Sequence, residues 1–370
     1  MRNSLDSFFV ITAPGLEAVC EGELRSLGLH PESTVRGGVE FSGGLRELYL
    51  ANLWLRSASR ILVRLGEVSA RDFPTLFKRL SKLPWGRFIK PGTRCEIRAV
   101  SHQSRLMHTG RMAEVCQAGI AKSLGRDSTV EGEPVQKIYL RMNDDHCQVS
   151  VDSSGEHLHR RGYRHARVVA PLRETLAAGC LLACNYDGSV PFVDLMTGSG
   201  TLAIEAALIA LKRAPGKERT FAFMDWPKYR AGLWNQLLAE ARRGEQTELS
   251  APIFGVDNNL KAIEAVTRNL ERIGLDGTIQ LTCGQMQEFD SPADHGLVLC
   301  NPPYGERLGK NASLQALFHD LGQVYGDKFR LWRGALICPE SSLLKRTGLA
   351  FLPLLHFSNG GLKVALVEKS

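Results

Sequence analysis

The 370-residue chain has no C-x-x-C pair, no apolar run long enough to span a bilayer, no internal repeat and no low-complexity tract. Each absence excludes a class of protein. The nine cysteines, Cys20, Cys95, Cys116, Cys147, Cys180, Cys184, Cys283, Cys300 and Cys338, are odd in number and scattered among apolar residues. They read as reduced core residues rather than disulfides or zinc ligands. Cys180 and Cys184 stand four apart on an expected helix, but no His or Cys pair completes a site, so no metal is expected. His102, His108, His157, His159 and His165 lack a carboxylate-assisted i, i+4 pattern and read as surface polar residues. No charged segment followed by a signal-length apolar stretch opens the chain, and Phe8 to Ala13 is too short to cross a membrane. A cytoplasmic protein with no membrane partner is therefore expected.

What is present is ordinary in amount and uneven in distribution. Hydrophobic residues make up 44% and charged residues 23%, enough for two or three domains with cores of their own. The formal net charge is +7. Residues 1–165 hold 24 Lys and Arg against 18 Asp and Glu, leaving 22 against 21 for the remainder. A basic front suits a phosphate-rich partner.

The front third reads as mixed α+β. Phe8 to Thr12 forms a strand, Pro14-Gly15 a turn, and Leu16, Val19, Cys20, Leu24 and Leu27 recur at helical spacing until Gly28. Leu45 to Ser59 has the same period, Ile61 to Val68 and Arg94 to Val100 resemble strands, and Met112 to Leu124 a helix. His157 to Ala170, dense in Arg and His, reads as a linker, whose basic run of Arg160, Arg161, Arg164 and Arg167 suits phosphate contact and whose Tyr163 suits stacking on a base, with a solvated linker as the alternative. From Leu172 the pattern changes to alternating short strands and helices, the signature of a doubly wound parallel sheet. The strands are Val190 to Met196, Ile253 to Val256, Ile279 to Thr282 and Gly296 to Cys300, with helices over Thr201 to Leu211 and Leu260 to Ile273. Residues 212–250 interrupt this rhythm as an insertion, whose Trp226, Tyr229 and Trp234 are expected to plug a small core.

Two motifs carry chemistry. Asp194-Leu195-Met196-Thr197-Gly198-Ser199-Gly200-Thr201 closes a strand into a glycine loop that opens an apolar helix, and glycines let backbone approach a ligand that a Cβ would block. Read as G-x-G-x-x-A with Ala203, the loop also suits a dinucleotide. That reading expects a ribose-binding acid about 20 residues further on, whereas Asp257 stands far beyond the insertion. An acid before the loop suits instead a cofactor with a cationic amino-acid end. The second motif, Asn301-Pro302-Pro303-Tyr304, directly follows the strand ending at Cys300. Proline cannot continue the ladder, so Asn301 is fixed at the strand's carboxyl end, where such sheets keep their active sites. The Asn side-chain carbonyl and the Pro302 carbonyl suit the two hydrogens of an aromatic amine, and Tyr304 suits stacking on its ring.

With these motifs in view, the chain resembles a known family nearly end to end. Asp194 to Thr201, Asp257, Asn301 to Leu308, the Arg161-Gly162-Tyr163-Arg164 linker, the Ala170 to Ala178 segment, and Ala214-Pro215-Gly216 with Phe221-Ala222-Phe223 are similar to the THUMP-containing class I guanine-N2 RNA methyltransferases, in particular the bacterial 23S rRNA type (RlmL type). The resemblance implies a Rossmann-like α/β class I methyltransferase domain behind an N-terminal α+β ferredoxin-like and THUMP RNA-binding region. The boundaries expected are 1–60 for the ferredoxin-like part, 61–155 for THUMP, 156–171 for the linker and 172–370 for the methyltransferase domain. It implies S-adenosylmethionine as donor, held by Asp194, Thr197, Gly198, Gly200, Asp257, Asn258, Gln285 and Met286. Thr197 replaces the family's usual Cys, and Gln285 stands where an acid often meets adenine. Asn301, Pro302 and Tyr304 would hold the target guanine, with Pro303, Arg161, Tyr163 and Arg164 toward the RNA. The family's longer enzymes carry a second methyltransferase domain, so a single modification is expected here. The alternatives are a tRNA guanine-N2 enzyme, an adenine-N6 DNA enzyme, a protein glutamine-N5 enzyme, a dinucleotide oxidoreductase, which leaves Asn301 to Tyr304 unexplained, and an RNA chaperone with a degenerate catalytic domain.

Overall fold

The structure, a computed structural model, describes residues 5–125, 135–164, 172–303, 311–339 and 342–370. Its first half contains β1 (Asp6–Thr12), α1 (Glu17–Ser26), β2 (Pro31–Val35), β3 (Gly38–Gly43), α2 (Leu45–Trp54) and β4 (Ala58–Ser69). It continues with α3 (Phe73–Leu80), β5 (Arg94–His102), α4 (Thr109–Leu124), β6 (Val135–Asn143) and β7 (His146–Asp152). These strands form one sheet in the order β2-β3-β1-β4-β7-β6-β5. The long β4 pairs with β1 on one side and β7 on the other, so it runs across the expected 60/61 boundary and makes the two N-terminal units share a sheet. Helix α2 stops at Trp54, five residues before the expected end, because Leu55 is already extended and the chain turns into β4. Strict alternation along β6 and β7 buries Ile138, Leu140, Met142, Cys147, Val149 and Val151 on one face and leaves Lys137, Tyr139 and Arg141 on the other.

The second half contains α5 (Glu174–Ala183), β8 (Phe192–Asp194), α6 (Thr201–Ala210), α7 (Ala231–Gly244), β9 (Ile253–Asp257), α8 (Leu260–Arg272) and β10 (Ile279–Cys283). There follow β11 (Leu297–Cys300), α9 (Asn311–Asp327), β12 (Arg333–Cys338), α10 (Ser342–Arg346), β13 (Phe351–Asn359) and β14 (Leu362–Lys369). The sheet order is β10-β9-β8-β11-β12-β14-β13, parallel from β10 to β12 with β14 antiparallel to both its neighbours. Strand β8 is shorter than its apolar run because Pro191 has no N–H to donate and, past Asp194, the Met196 N–H turns back to Asp194 Oδ1 at 3.1 Å. Strand order reverses between β8 and β11, which opens a crevice at their carboxyl ends.

The two halves exchange core residues. The aromatics of the insertion do not plug a core of their own, as expected from sequence; they enter that of the N-terminal half. Phe223 stacks on Tyr49 with ring centroids 4.4 Å apart, and Trp226 meets Phe88 edge-on at 4.8 Å while its Nε1 donates to Gln136 Oε1 at 2.7 Å. Aromatic pairs of this kind add about 1 kcal/mol each beyond burial. Gly216 carries this docking: its N–H donates to the Leu53 carbonyl at 3.0 Å, and a Cβ there would lie 2.8 Å from the Asn52 oxygen. In return Leu16, just before α1, is fully buried in the core of the second half. None of the nine cysteines is in a disulfide, but Cys283 is exposed and Cys95 half-buried, which departs from the expectation of core positions for every one.

Candidate active site

Three adjacent strands deliver the polar residues of the crevice. Asp194 ends β8, Asp257 ends β9, and Asn301 follows the last residue of β11, so parallel pairing alone brings them to one edge. They border a cavity of about 650 Å³, a size that suits a small-molecule ligand. Of the residues picked out from sequence, Asp194, Thr197, Gly198, Asp257 and Asn258 line it from the β8 and β9 side. Gln285 and Met286 line it from the turn after β10, and Asn301 and Pro303 from the β11 side.

The electrostatics of the cavity are one-sided. Asp194 is 1% exposed, and burial, reinforced by the nearby Asp257 carboxylate and offset in part by the Met196 N–H, pushes its carboxyl up to about 7. Such a group favours a cationic partner. Asp257 acts as a splint, with Oδ2 accepting the Gly198 N–H and Oδ1 the Asn259 N–H, both at 2.9 Å. Gly198 adopts φ +52°, and a Cβ there would meet nothing within 4 Å, so the loop leaves open space at this point. Gly200 has a different reason for being glycine than ligand approach: at φ +83° its Cβ would lie 2.7 Å from Val266 Cγ1 of α8, and it does not line the cavity.

Asn301 Oδ1 is buried and has no hydrogen-bond partner among the described residues. Leaving such an acceptor unmatched costs about 1–3 kcal/mol, a cost that a ligand N–H would remove. Cys300, one residue earlier, is no nucleophile, because burial pushes its thiol up to about 12. It serves the strand pair instead, accepting the Leu195 N–H at 3.3 Å.

The linker residues are corrected. Arg161 and Tyr163 are buried and face inward, so neither can touch RNA: Arg161 donates to the carbonyls of Leu158 and Arg56 at 2.5 and 2.6 Å, and the Tyr163 hydroxyl donates to Glu205 Oε1 at 3.1 Å. Arg164 is largely covered, donating to the Leu172 carbonyl and Thr201 Oγ1 at 3.0 Å each and pairing with Glu174 at 3.2 Å. Pro302 is buried and does not line the cavity. Tyr304, Glu306, Arg307, His165 and Arg167 lie outside the described residues. Sequence reading missed the wall supplied by α9, from which Ser313, Ala316, Leu317 and Asp320 line the cavity. Asp320 accepts from Gln287 Nε2 at 3.0 Å, a contact between distant segments that no local motif announces.

Comparison with known proteins adds the family. Residues 161–361 match the methyltransferase domain described as RMKL-like, residues 7–62 the RlmL ferredoxin-like domain, and residues 70–152 the THUMP domain. The chain belongs to the RMKL-like methyltransferases. This methyltransferase is 34% identical to a candidate RNA methyltransferase of Synechocystis sp. over 98% of its own length and 96% of that protein's. It is 33% identical to the ribosomal RNA large subunit methyltransferase K/L of Syntrophotalea carbinolica over 98% of its length, but spans only 53% of that protein. A solved structure described as SMU.472, a candidate methyltransferase complexed with SAH, superposes with a TM-score of 0.91 at 32% identity, covering 98% of this chain and 97% of that one. The methyltransferase thus combines N-terminal ferredoxin-like and THUMP domains with a class I catalytic fold.

Proposed function

We propose that this RMKL-like methyltransferase transfers a methyl group from S-adenosylmethionine to the exocyclic N2 of a guanine in RNA, with 23S rRNA as the substrate. The observation that carries the reading is the buried Oδ1 of Asn301, without a hydrogen-bond partner among the described residues, at the edge of the cavity that Asp194 also lines. The donor's chemistry fits the residues present. Its ammonium answers the desolvated Asp194 carboxyl, Asp257 retains lone pairs for ribose hydroxyls beside its two backbone donors, and the buried Met286 offers an apolar face to adenine with the Gln285 amide at its edge. The bound donor supplies an electrophilic methyl group on a sulfonium.

An aromatic amine is a weak nucleophile because its lone pair is delocalised into the ring. Asn301 Oδ1, by accepting one amine hydrogen, turns the lone pair toward the methyl group and positions it for in-line attack. The family resemblance assigns the second hydrogen to the Pro302 carbonyl, although Pro302 does not line the cavity here, and the ring face to Tyr304, which lies outside the described residues. Because attack by nitrogen makes the amine acidic, no strong base is needed, and the proton leaves to water. RNA as substrate, and rRNA in particular, is supported by the names of the Synechocystis and Syntrophotalea relatives and by the THUMP match.

The test is incubation of the purified protein with radiolabelled S-adenosylmethionine and total RNA from a strain lacking it, followed by nucleoside analysis. Label in N2-methylguanosine of 23S rRNA is expected, with Asn301→Ala lowering turnover by about 10²–10³-fold at unchanged donor affinity. Label in tRNA would keep the chemistry and change the substrate. Label only in DNA adenine or protein glutamine would overturn the proposal.

A further inference from the structure

The strap over residues 155–164, which leaves the N-terminal sheet for the catalytic half, divides its side chains between interior and surface. Leu158, Arg161 and Tyr163 turn inward and are buried. His157 and Arg160 are exposed on the outer side, and His159 is half-exposed beside them. The strap is pinned by Arg219, whose guanidinium donates to the carbonyls of Glu156 at 2.9 Å, of His157 at 3.0 Å and of Arg160. A backbone held this way presents its outer side chains without a further backbone ordering cost.

The two imidazoles stack, with centroids 5.3 Å apart and planes at 22°. Cations lie near them, with Arg60, Lys137 and Arg173 all acting on His157 and Arg173 on His159 as well. Lys137 reaches the Gly155 carbonyl at 3.3 Å, and the exposed Arg173 stands at the start of α5, directly after Leu172, which lines the catalytic cavity. Arg160 is paired with Glu156 at 2.5 Å, but both partners are exposed and such a pair competes weakly with a phosphate. Burial, together with Arg60, Lys137 and Arg173, pushes His157 below its ordinary value. Burial, His157 and Arg173 take His159 down to about 3. Both rings are therefore neutral at physiological pH. Uncharged aromatic rings near separate cations suit a single strand of nucleic acid, in which bases stack and phosphates bind at intervals.

We propose that the strand carrying the target base crosses the outer face of this strap on its way from the N-terminal sheet to the cavity, with phosphates on Lys137, Arg160 and Arg173 and a base stacked on His157. This rests on the reading of the substrate as RNA. The route replaces the one the linker sequence suggested, since Arg161 and Tyr163 are turned inward and the histidines, which read as mere surface polarity, take their place.

The experiment is fluorescence anisotropy with a fluorescein-labelled single-stranded 20-mer of oligouridine over about 50–200 mM salt, beside calorimetric binding of S-adenosylhomocysteine. Arg173→Ala is expected to weaken RNA binding and lower the slope of log affinity against log salt by about 0.7. His157→Ala is expected to weaken it about ten-fold with the slope unchanged, and His157→Phe to restore it. S-adenosylhomocysteine affinity stays at the wild-type level in all three. Wild-type RNA binding with unaffected variants would overturn the strap's role alone, as would RNA and S-adenosylhomocysteine affinities falling together. No RNA binding by the wild-type protein would overturn the substrate reading and the strap with it.

Discussion

Replacing Asp194 by Asn should make the ligand-free methyltransferase more stable and nearly abolish donor binding. The carboxyl is pushed from its ordinary value of 3.8 to about 7, chiefly by burial. Between those two pH values the native state binds more protons than the unfolded chain, so the Asp194 contribution falls as pH rises, and its full cost is present above about pH 7. At that limit the cost is on the order of 4 kcal/mol. Asn has the same shape and no charge, so at pH 8 it should recover part of this, raising the melting temperature by about 2–4 °C per kcal/mol, with no gain near pH 4. Donor binding should show the opposite preference. An ammonium favours the carboxylate, so wild-type affinity for S-adenosylmethionine peaks between about pH 7 and the donor amine's own titration at about pH 8 and falls toward ten-fold per unit below pH 7, whereas Asp194→Asn binds weakly with no such low-pH slope. Calorimetric titration from about pH 5.5 to 8.5, with melting curves of the ligand-free proteins at the same values, checks both halves. A wild-type affinity flat across pH 7, or a variant that melts lower than wild type at pH 8, would refute the reasoning.

Two further substitutions test the frame around the site. Gly200→Ala puts a Cβ 2.7 Å from Val266 Cγ1 at φ +83° and should cost about 1–3 kcal/mol while loosening the donor loop; Gly200→Ala with Val266→Ala should recover part of the melting temperature, and no recovery would mean that backbone strain rather than the clash is decisive. Trp226→Ala empties a site between the insertion and the N-terminal sheet and strands Gln136 Oε1, so urea unfolding should show a loss of about 3–5 kcal/mol; a loss under about 1 kcal/mol would show that the insertion does not hold the halves together.

The sequence was most legible where local rules and tertiary structure agree. Strands β8 and β9 end in, and β11 is directly followed by, residues that sequence alone marks: an acid before a glycine loop, an acid before Asn258-Asn259, and an asparagine before two prolines. The doubly wound reading then forces those ends together, so most of the cavity wall follows. What was hidden lies on elements that reach the cavity from elsewhere, such as Leu317 and Asp320 on α9, or on strands without an apolar run, such as β2, four of whose five residues are exposed. The β6–β7 hairpin was missed for another reason. Its turn is built by Asp144 and Asp145 at φ 49° and 63°, with no glycine to announce it, although the alternation through Met142 was there to be read.

The linker is the instructive failure. A run of arginines reads as a basic surface because nothing local says which way each side chain points. The missing information sits some forty residues later, in α6, where Glu205 is the one charged residue of a helix buried along its whole length. A lone acid in such a helix demands partners, and Arg161 at 3.5 Å and Tyr163 at 3.1 Å supply them. Removing one side of a buried pair costs about 3–5 kcal/mol, enough to dictate that these two residues turn inward and that their neighbours His157 and Arg160 stay outside. The same contact ties the strap to the helix that begins at the donor loop, while Arg161 also holds the Arg56 carbonyl just before β4. The segment between the halves is thus fixed to both by its buried residues, and the surface it shows is set by an acid whose importance no reading of the linker alone could supply.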